Sequence, residues 1–278
     1  MWAYESVFYQ IYPLGFCGAT FDNPSAPITA EDRNAGIKPK HSGENHSILK
    51  VIDWIDHLKR LNINAIYFSP LFESDTHGYN TRDYTIIDSR IGTNDDFKQV
   101  VDKLHEAGIK VVLDGVFNHV GRDFFAFQDL KENRENSPCR DWFCNVNFWG
   151  NNEYGDGFSY DNWGGYNLLV KLNQRNGAVQ EHLFDAVRMW VREFDIDGLR
   201  LQVDLKDIGP APEAQRTADL IADRAEAADL LSLAENLRAL VRMEETLLRP
   251  LVGELHKQGL CDRVRDPLDG DRKSTRLN

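Results

Sequence analysis

An acid, an amide and an imidazole stand together at one end of an apolar run. Asp114, Asn118 and His119 close the segment VVLDGVFNHV, residues 111–120. Val111, Val112 and Leu113 read as a buried strand. A buried polar group without a partner costs a few kcal/mol, so three of them at one strand end are expected to face a site. Barrels of alternating strands and helices carry their chemistry at such strand ends.

The elements that must position these groups alternate in type. Residues 7–13, VFYQIYP, read as a strand stopped by proline. Residues 17–46 are loop-like. Residues 47–61 read as a helix with Ile48, Val51, Ile52, Ile55 and Leu58 on one face. Ala65 to Phe68 is a second strand. Thr93 with Asp96 predicts a capping box, followed by an inward face of Phe97, Val100, Val101 and Leu104 and a stop at Gly108. The strand at Val111 comes next. Residues 121–177 are polar, aromatic and too long for an ordinary connection, so they read as an inserted subdomain. A helix over residues 178–194 buries Val179, Leu183, Val187, Val191 and Phe194, and residues 196–201 form a fourth strand. The order is that of βα units on a parallel sheet. A dinucleotide-binding sheet is disfavoured, because no glycine-rich loop follows the first strand.

Composition narrows the partners. The chain has 278 residues, 42% hydrophobic, enough for one large or two smaller domains. A net charge of -12 argues against nucleic acid and anionic membranes and is compatible with a neutral ligand such as a sugar. Aromatic residues between Trp142 and Trp163 suit either sugar faces or loop packing. The four cysteines show no metal spacing; Cys139 and Cys144 could pair, but free thiols are the expectation. Neither a signal peptide nor an apolar run of membrane-spanning length is visible, so a cytoplasmic protein is expected. Oligomeric state is left open.

Five segments in order carry a family resemblance. They are residues 7–13; His77-Gly78-Tyr79-Asn80-Thr81-Arg82-Asp83-Tyr84; Asp114 to His119; Leu169-Val170-Lys171-Leu172-Asn173; and Gly198-Leu199-Arg200-Leu201. Over residues 5–201 the chain resembles the α-amylase family, glycoside hydrolase family 13, and most resembles its bacterial α-amylase and cyclomaltodextrinase-type members. The resemblance implies an α/β fold, a partial (β/α)8 TIM barrel. About the first four βα units would be present, with the insert after the third strand and a helical tail after the fourth. The units are residues 1–120 and 178–204 for the barrel, 121–177 for the insert and 205–270 for the tail.

The implied chemistry is retaining hydrolysis or transfer of α-glucosidic bonds, on an α-glucan or maltooligosaccharide. Such enzymes set a carboxylate nucleophile and a carboxylic acid roughly 5 to 5.5 Å apart. By resemblance Arg200 would keep the nucleophile ionised. His77 and His119 would bind sugar hydroxyls, Tyr79 would stack on the sugar, and Asp114 would order the neighbouring polar groups. Asn118 would be a calcium ligand, although no cofactor is required. Either histidine alone would more often be structural. His57 and His105, on helices, are expected at the surface.

The resemblance breaks after Arg200. Gln202 stands at the nucleophile position, and a neutral amide cannot form a glycosyl ester. Asp204 lies further along the same face. Glu235 is a loose candidate for the general acid, competing with a helical surface glutamate. The family's Asn-His-Asp trio is not found. Residues 271–278, DRKSTRLN, are the in-frame translation of the start of a common sequencing-library adapter and are set aside as a processing scar. The expectation is an incomplete, inactive member of the family. The alternative is a non-catalytic carbohydrate-binding or scaffold relative that has lost its carboxylates.

Overall fold

The computed structural model describes residues 2–26 and 45–201. Four strands form a parallel sheet in the order of the chain: β1 (Phe8–Ile11), β2 (Ala65–Phe68), β5 (Lys110–Gly115) and β9 (Gly198–Leu201). The register sets Phe8 beside Ala65, Ala65 beside Lys110, and Asp114 beside Arg200. Alternation decides which side chains meet the helices. Ile66, Phe68, Val111, Leu113 and Leu199 are buried on the helical side. Tyr67, Val112, Asp114 and Arg200 share the other face.

Local chemistry explains most boundaries. Pro13 does not end a strand; it opens the short helix α1 (Pro13–Cys17), since its fixed φ suits a first helical turn. The predicted helix over residues 47–61 is broken. A 3-10 turn at Ser47–Leu49 leads into α2 (Lys50–Asp53) and, past Trp54, α3 (Ile55–Arg60). The long helix α4 (Asn94–Glu106) has the expected capping box, and Phe97, Val100, Val101 and Leu104 are buried. Gly108 takes a φ of 76° that L side chains resist, which turns the chain into β5.

His105 is partly exposed and also bonded. Its Nε2 lies 2.7 Å from Asp197 Oδ2, which also accepts from Val111 N–H at 2.8 Å and so ties α4 to the starts of β5 and β9.

Between β2 and α4 stands an antiparallel hairpin, β3 (Phe72–Ser74) and β4 (Thr81–Ile87). The HGYNTRDY segment is therefore half turn and half strand. Two buried arginines clamp the hairpin to the loop after α1. Arg90 holds Asp88 through Nε at 2.8 Å and Nη2 at 2.6 Å, and donates to the Thr20 and Phe21 carbonyls at 3.0 and 2.7 Å. Arg82 bridges Asp75 at 2.7 Å, Asp123 at 3.1 Å and the Ser25 carbonyl at 2.9 Å.

After β5 the short β6 (His119–Val120) pairs with β8 (Tyr166–Lys171), which pairs with β7 (Asn162–Trp163). Helix α5 (Phe125–Asn133) lies between β6 and β7 in the chain. Arg122 pairs with Asp156 through both terminal nitrogens at 2.8 and 2.7 Å. Trp142 packs edge-on against Phe125, which favours the loop-packing reading for that ring, whereas Trp149 is 97% exposed.

Helix α6 (Gly177–Met189) is capped by the Asn176 side chain and runs into a π-turn at Trp190–Phe194. The wider turn rotates the face, so Trp190 is buried where Val191 was expected. Trp190 stacks on Phe72 at 4.3 Å and donates to the Tyr84 carbonyl at 2.6 Å. Cys17, Cys139 and Cys144 are thiols, so Cys139 and Cys144 do not pair. Among the described residues, no helix is long and apolar enough to cross a membrane.

Arg90→Ala leaves Asp88, fully buried, without its cation. Breaking a buried pair from one side costs about 3–5 kcal/mol. The urea midpoint is expected to fall accordingly, with faster proteolysis within residues 20–25. An unchanged midpoint would show that the clamp is dispensable.

Candidate active site

The site lies at the C-terminal ends of the parallel strands. Asp114 ends the apolar run of β5 and is 2% exposed. The adjacent strand brings Arg200 to its side in register, with Nη1 at 3.3 and 3.4 Å from the two carboxylate oxygens. From β2 the Tyr67 hydroxyl donates to Asp114 Oδ2. Burial pushes the Asp114 carboxyl up from its ordinary range, while Tyr67 and Arg200 pull it back.

The hairpin supplies a second group. His77 and Tyr79 sit at its tip, with ring centres 6.1 Å apart. Gly78 between them has a φ of 95°, and a side chain there would press on the Pro70 carbonyl at 3.1 Å. The turn therefore requires glycine. Tyr79 N–H donates to His77 Nδ1 at 3.2 Å, and the Tyr12 hydroxyl donates to the His77 carbonyl at 3.2 Å. Burial and the Arg90 charge lower the pKa of His77. A neutral ring whose Nδ1 accepts must carry its proton on Nε2. Burial raises the Tyr79 pKa, and the charges of Asp114 and Arg200 act on it in opposite senses.

His119 completes the group from β6. It is fully buried, and its Nε2 has no hydrogen-bond partner among the described residues. Its ring lies 5.6 Å from that of Trp163 and close to the Tyr79 main chain. Lys171, in the LVKLN segment, pairs opposite His119, and Leu172 N–H donates to the Asn118 carbonyl at 2.9 Å. That segment holds the end of the motif in place. Five predicted residues (His77, Tyr79, Asp114, His119 and Arg200) thus converge. Gln202, Asp204 and Glu235 lie outside the described residues, as do residues 205–278.

Residues 10–256 match the family described as Alpha amylase, catalytic domain. The chain belongs to this family. It is 40% identical over 205 residues to a cyclomaltodextrinase of Bacillus sp, covering 73% of this chain and 36% of the relative. It is also 40% identical over 204 residues to a maltogenic alpha-amylase of Bacillus acidopullulyticus, covering 73% and 34%. The cyclic alpha-maltosyl-(1-->6)-maltose hydrolase of Arthrobacter globiformis superimposes with a TM-score of 0.61 at 30% identity, covering 81% of this chain and 50% of that one. A Nostoc punctiforme debranching enzyme gives 0.62 at 35% identity, covering 80% and 47%. The chain spans about a third of the length of these curated relatives. In this alpha-amylase domain the parallel sheet is an arc of the (β/α)8 barrel that the family implies. The family match also runs past Leu201, into the stretch whose texture reads as a helical tail.

Tyr67 is a site neighbour that sequence reasoning did not single out, whereas Trp163 closes the aromatic segment already read as suiting sugar faces or loop packing. Tyr67 could have been found as the one hydroxyl in the strand Ala65–Phe68, at a position that alternates away from the helices.

Asn118 offers a cation one side-chain oxygen. Its Oδ1 is buried with no partner among the described residues, which is the kind of oxygen a hard cation takes. Calcium needs about 6–8 oxygens, commonly including carboxylates. No group of three or more His, Cys, Asp or Glu able to hold a metal exists among the described residues.

Burial lowers the His119 pKa from 6.5 to about 4, so the ring is neutral at pH 7. The unfolded ring takes its proton near pH 6.5 and the folded ring only near 4. Stability is therefore intact above pH 6.5 and lost as pH falls towards 4, by on the order of 3 kcal/mol. Imidazole NMR should show the His119 midpoint near pH 4. A midpoint near 6.5 would contradict the buried, unpartnered ring.

Proposed function

We propose that this site binds an α-glucan or maltooligosaccharide and derives from a retaining α-glucosidic hydrolase or transglycosylase of the alpha-amylase type. The observation that carries the reading is the Asp114–Arg200 pair, bordered by His77, Tyr79 and His119. His77 and His119, neutral at pH 7, would each exchange hydrogen bonds with sugar hydroxyls. The Tyr79 ring would cover an apolar sugar face. Asp114 would hold Arg200 so that its guanidinium favours a charged carboxylate two residues on. That position is Gln202. An amide cannot supply the covalent intermediate of a retaining mechanism. The polypeptide as written would therefore bind its glucan without cleaving it.

Gln202 also favours a second reading, a non-catalytic carbohydrate-binding relative. Gln202→Asp alone is expected to release no more maltose than Asp114→Ala, because Glu235 is only a loose candidate for the acid and the Asn-His-Asp trio is not found.

Calorimetry with maltoheptaose is the test of the primary reading. Saturable binding is expected, weakened about tenfold or more in His119→Ala by the loss of hydrogen bonds in a buried site. Maltose release is expected to equal that of Asp114→Ala. Absence of binding would overturn the glucan reading, and release that depends on Asp114 would overturn the inactivity.

A further inference from the structure

Tyr67 ties β2 to the acid of the site. Its hydroxyl donates its single proton to Asp114 Oδ2. Two residues on, Ser69 Oγ accepts from Gln10 Nε2 at 2.8 Å. Hydrogen bonds thus link β1 to the end of β2, β2 to Asp114 on β5, and Asp114 to Arg200 on β9. A tyrosine used only as filler would need none of these contacts. Its ring sits in a strand that is otherwise Ala, Ile and Phe, and the hydroxyl is the one polar group that strand sends to the site.

We infer that Tyr67 is a positioning residue. By donating to Asp114, it sets the Asp114 carboxylate towards Arg200 and so orders the floor on which a sugar would sit. As far as ligand binding is concerned, this rests on the glucan reading above. The coupling of Tyr67 to Asp114 does not, since it exists without ligand.

The division of labour follows from donor counts. A tyrosine hydroxyl has one proton to give, and burial raises the Tyr67 pKa, which keeps that proton in place. The groups facing Asp114 are Tyr67 and Arg200, one from each flanking strand. Removing the hydroxyl leaves Asp114 with Arg200 alone, and Arg200 is half exposed.

Tyr67→Phe keeps the ring volume and deletes only the hydroxyl. The Asp114 carboxyl titration, followed by 13C NMR, is expected to move upwards in this variant; an unmoved titration would overturn the inference. In the unsubstituted protein a Tyr67 hydroxyl proton protected from exchange is expected, and it should disappear in Asp114→Ala. Its absence from the unsubstituted protein would equally overturn the coupling, whether or not Tyr67→Phe folds.

With maltotriose as the probe, Tyr67→Phe should weaken binding about tenfold, but no more than about twofold in the Asp114→Asn background. Equal losses in both backgrounds would mark Tyr67 as filler and overturn the inference. If the unsubstituted protein does not bind maltotriose, the glucan reading fails, and the carboxyl titration still decides the role of Tyr67.

Discussion

The site depends on the Asp114 carboxylate being held between two flanking strands. Asp114 is nearly inaccessible, and a buried charge is tolerated only when paired and hydrogen-bonded. β2 supplies the hydroxyl and β9 supplies the guanidinium, so both must run parallel to β5 in one register. A slip of a single residue would send Arg200 to the helical face and leave the carboxylate unpaired. The packing of Phe68 on Phe97, and of Phe97 on Phe194, fixes that register from the helical side. Apolar packing behind the sheet therefore determines polar geometry in front of it.

The hairpin faces a different problem, because it carries two site rings on a turn. Its tip holds His77 and Tyr79, and its strands are buried on both faces. Arg82 and Arg90 fasten it to residues 20–25 through main-chain carbonyls, which do not depend on side-chain identity there. Buried ion pairs of this kind contribute little net stability, yet they define one arrangement over others.

Much of this was legible in the residues, for physical reasons. The helix Asn94–Glu106 has a cap, an amphipathic face and a glycine stop, all local signals. Asp114 and His119 were visible because polar residues interrupt a strongly apolar run. Tyr67 was not, since a tyrosine in an apolar strand reads equally as packing. The strand Thr81–Ile87 was hidden because Arg82 and Asp83 look solvated until their distant partners are known. The π-turn at Trp190 was also hidden, since a one-residue change of helical phase leaves no compositional trace. Asn118 had a familiar place in a motif, and among the described residues no group of three or more His, Cys, Asp or Glu able to hold a metal exists.

The central claim is that His77 and His119, from separate elements, line one sugar site with Asp114. The most direct measurement is imidazole NMR of both histidines during titration with maltotriose. The account predicts that both signals shift together along a single saturation curve, with His57 and His105 unmoved. Movement of neither signal, or of the two with different saturation curves, would contradict it.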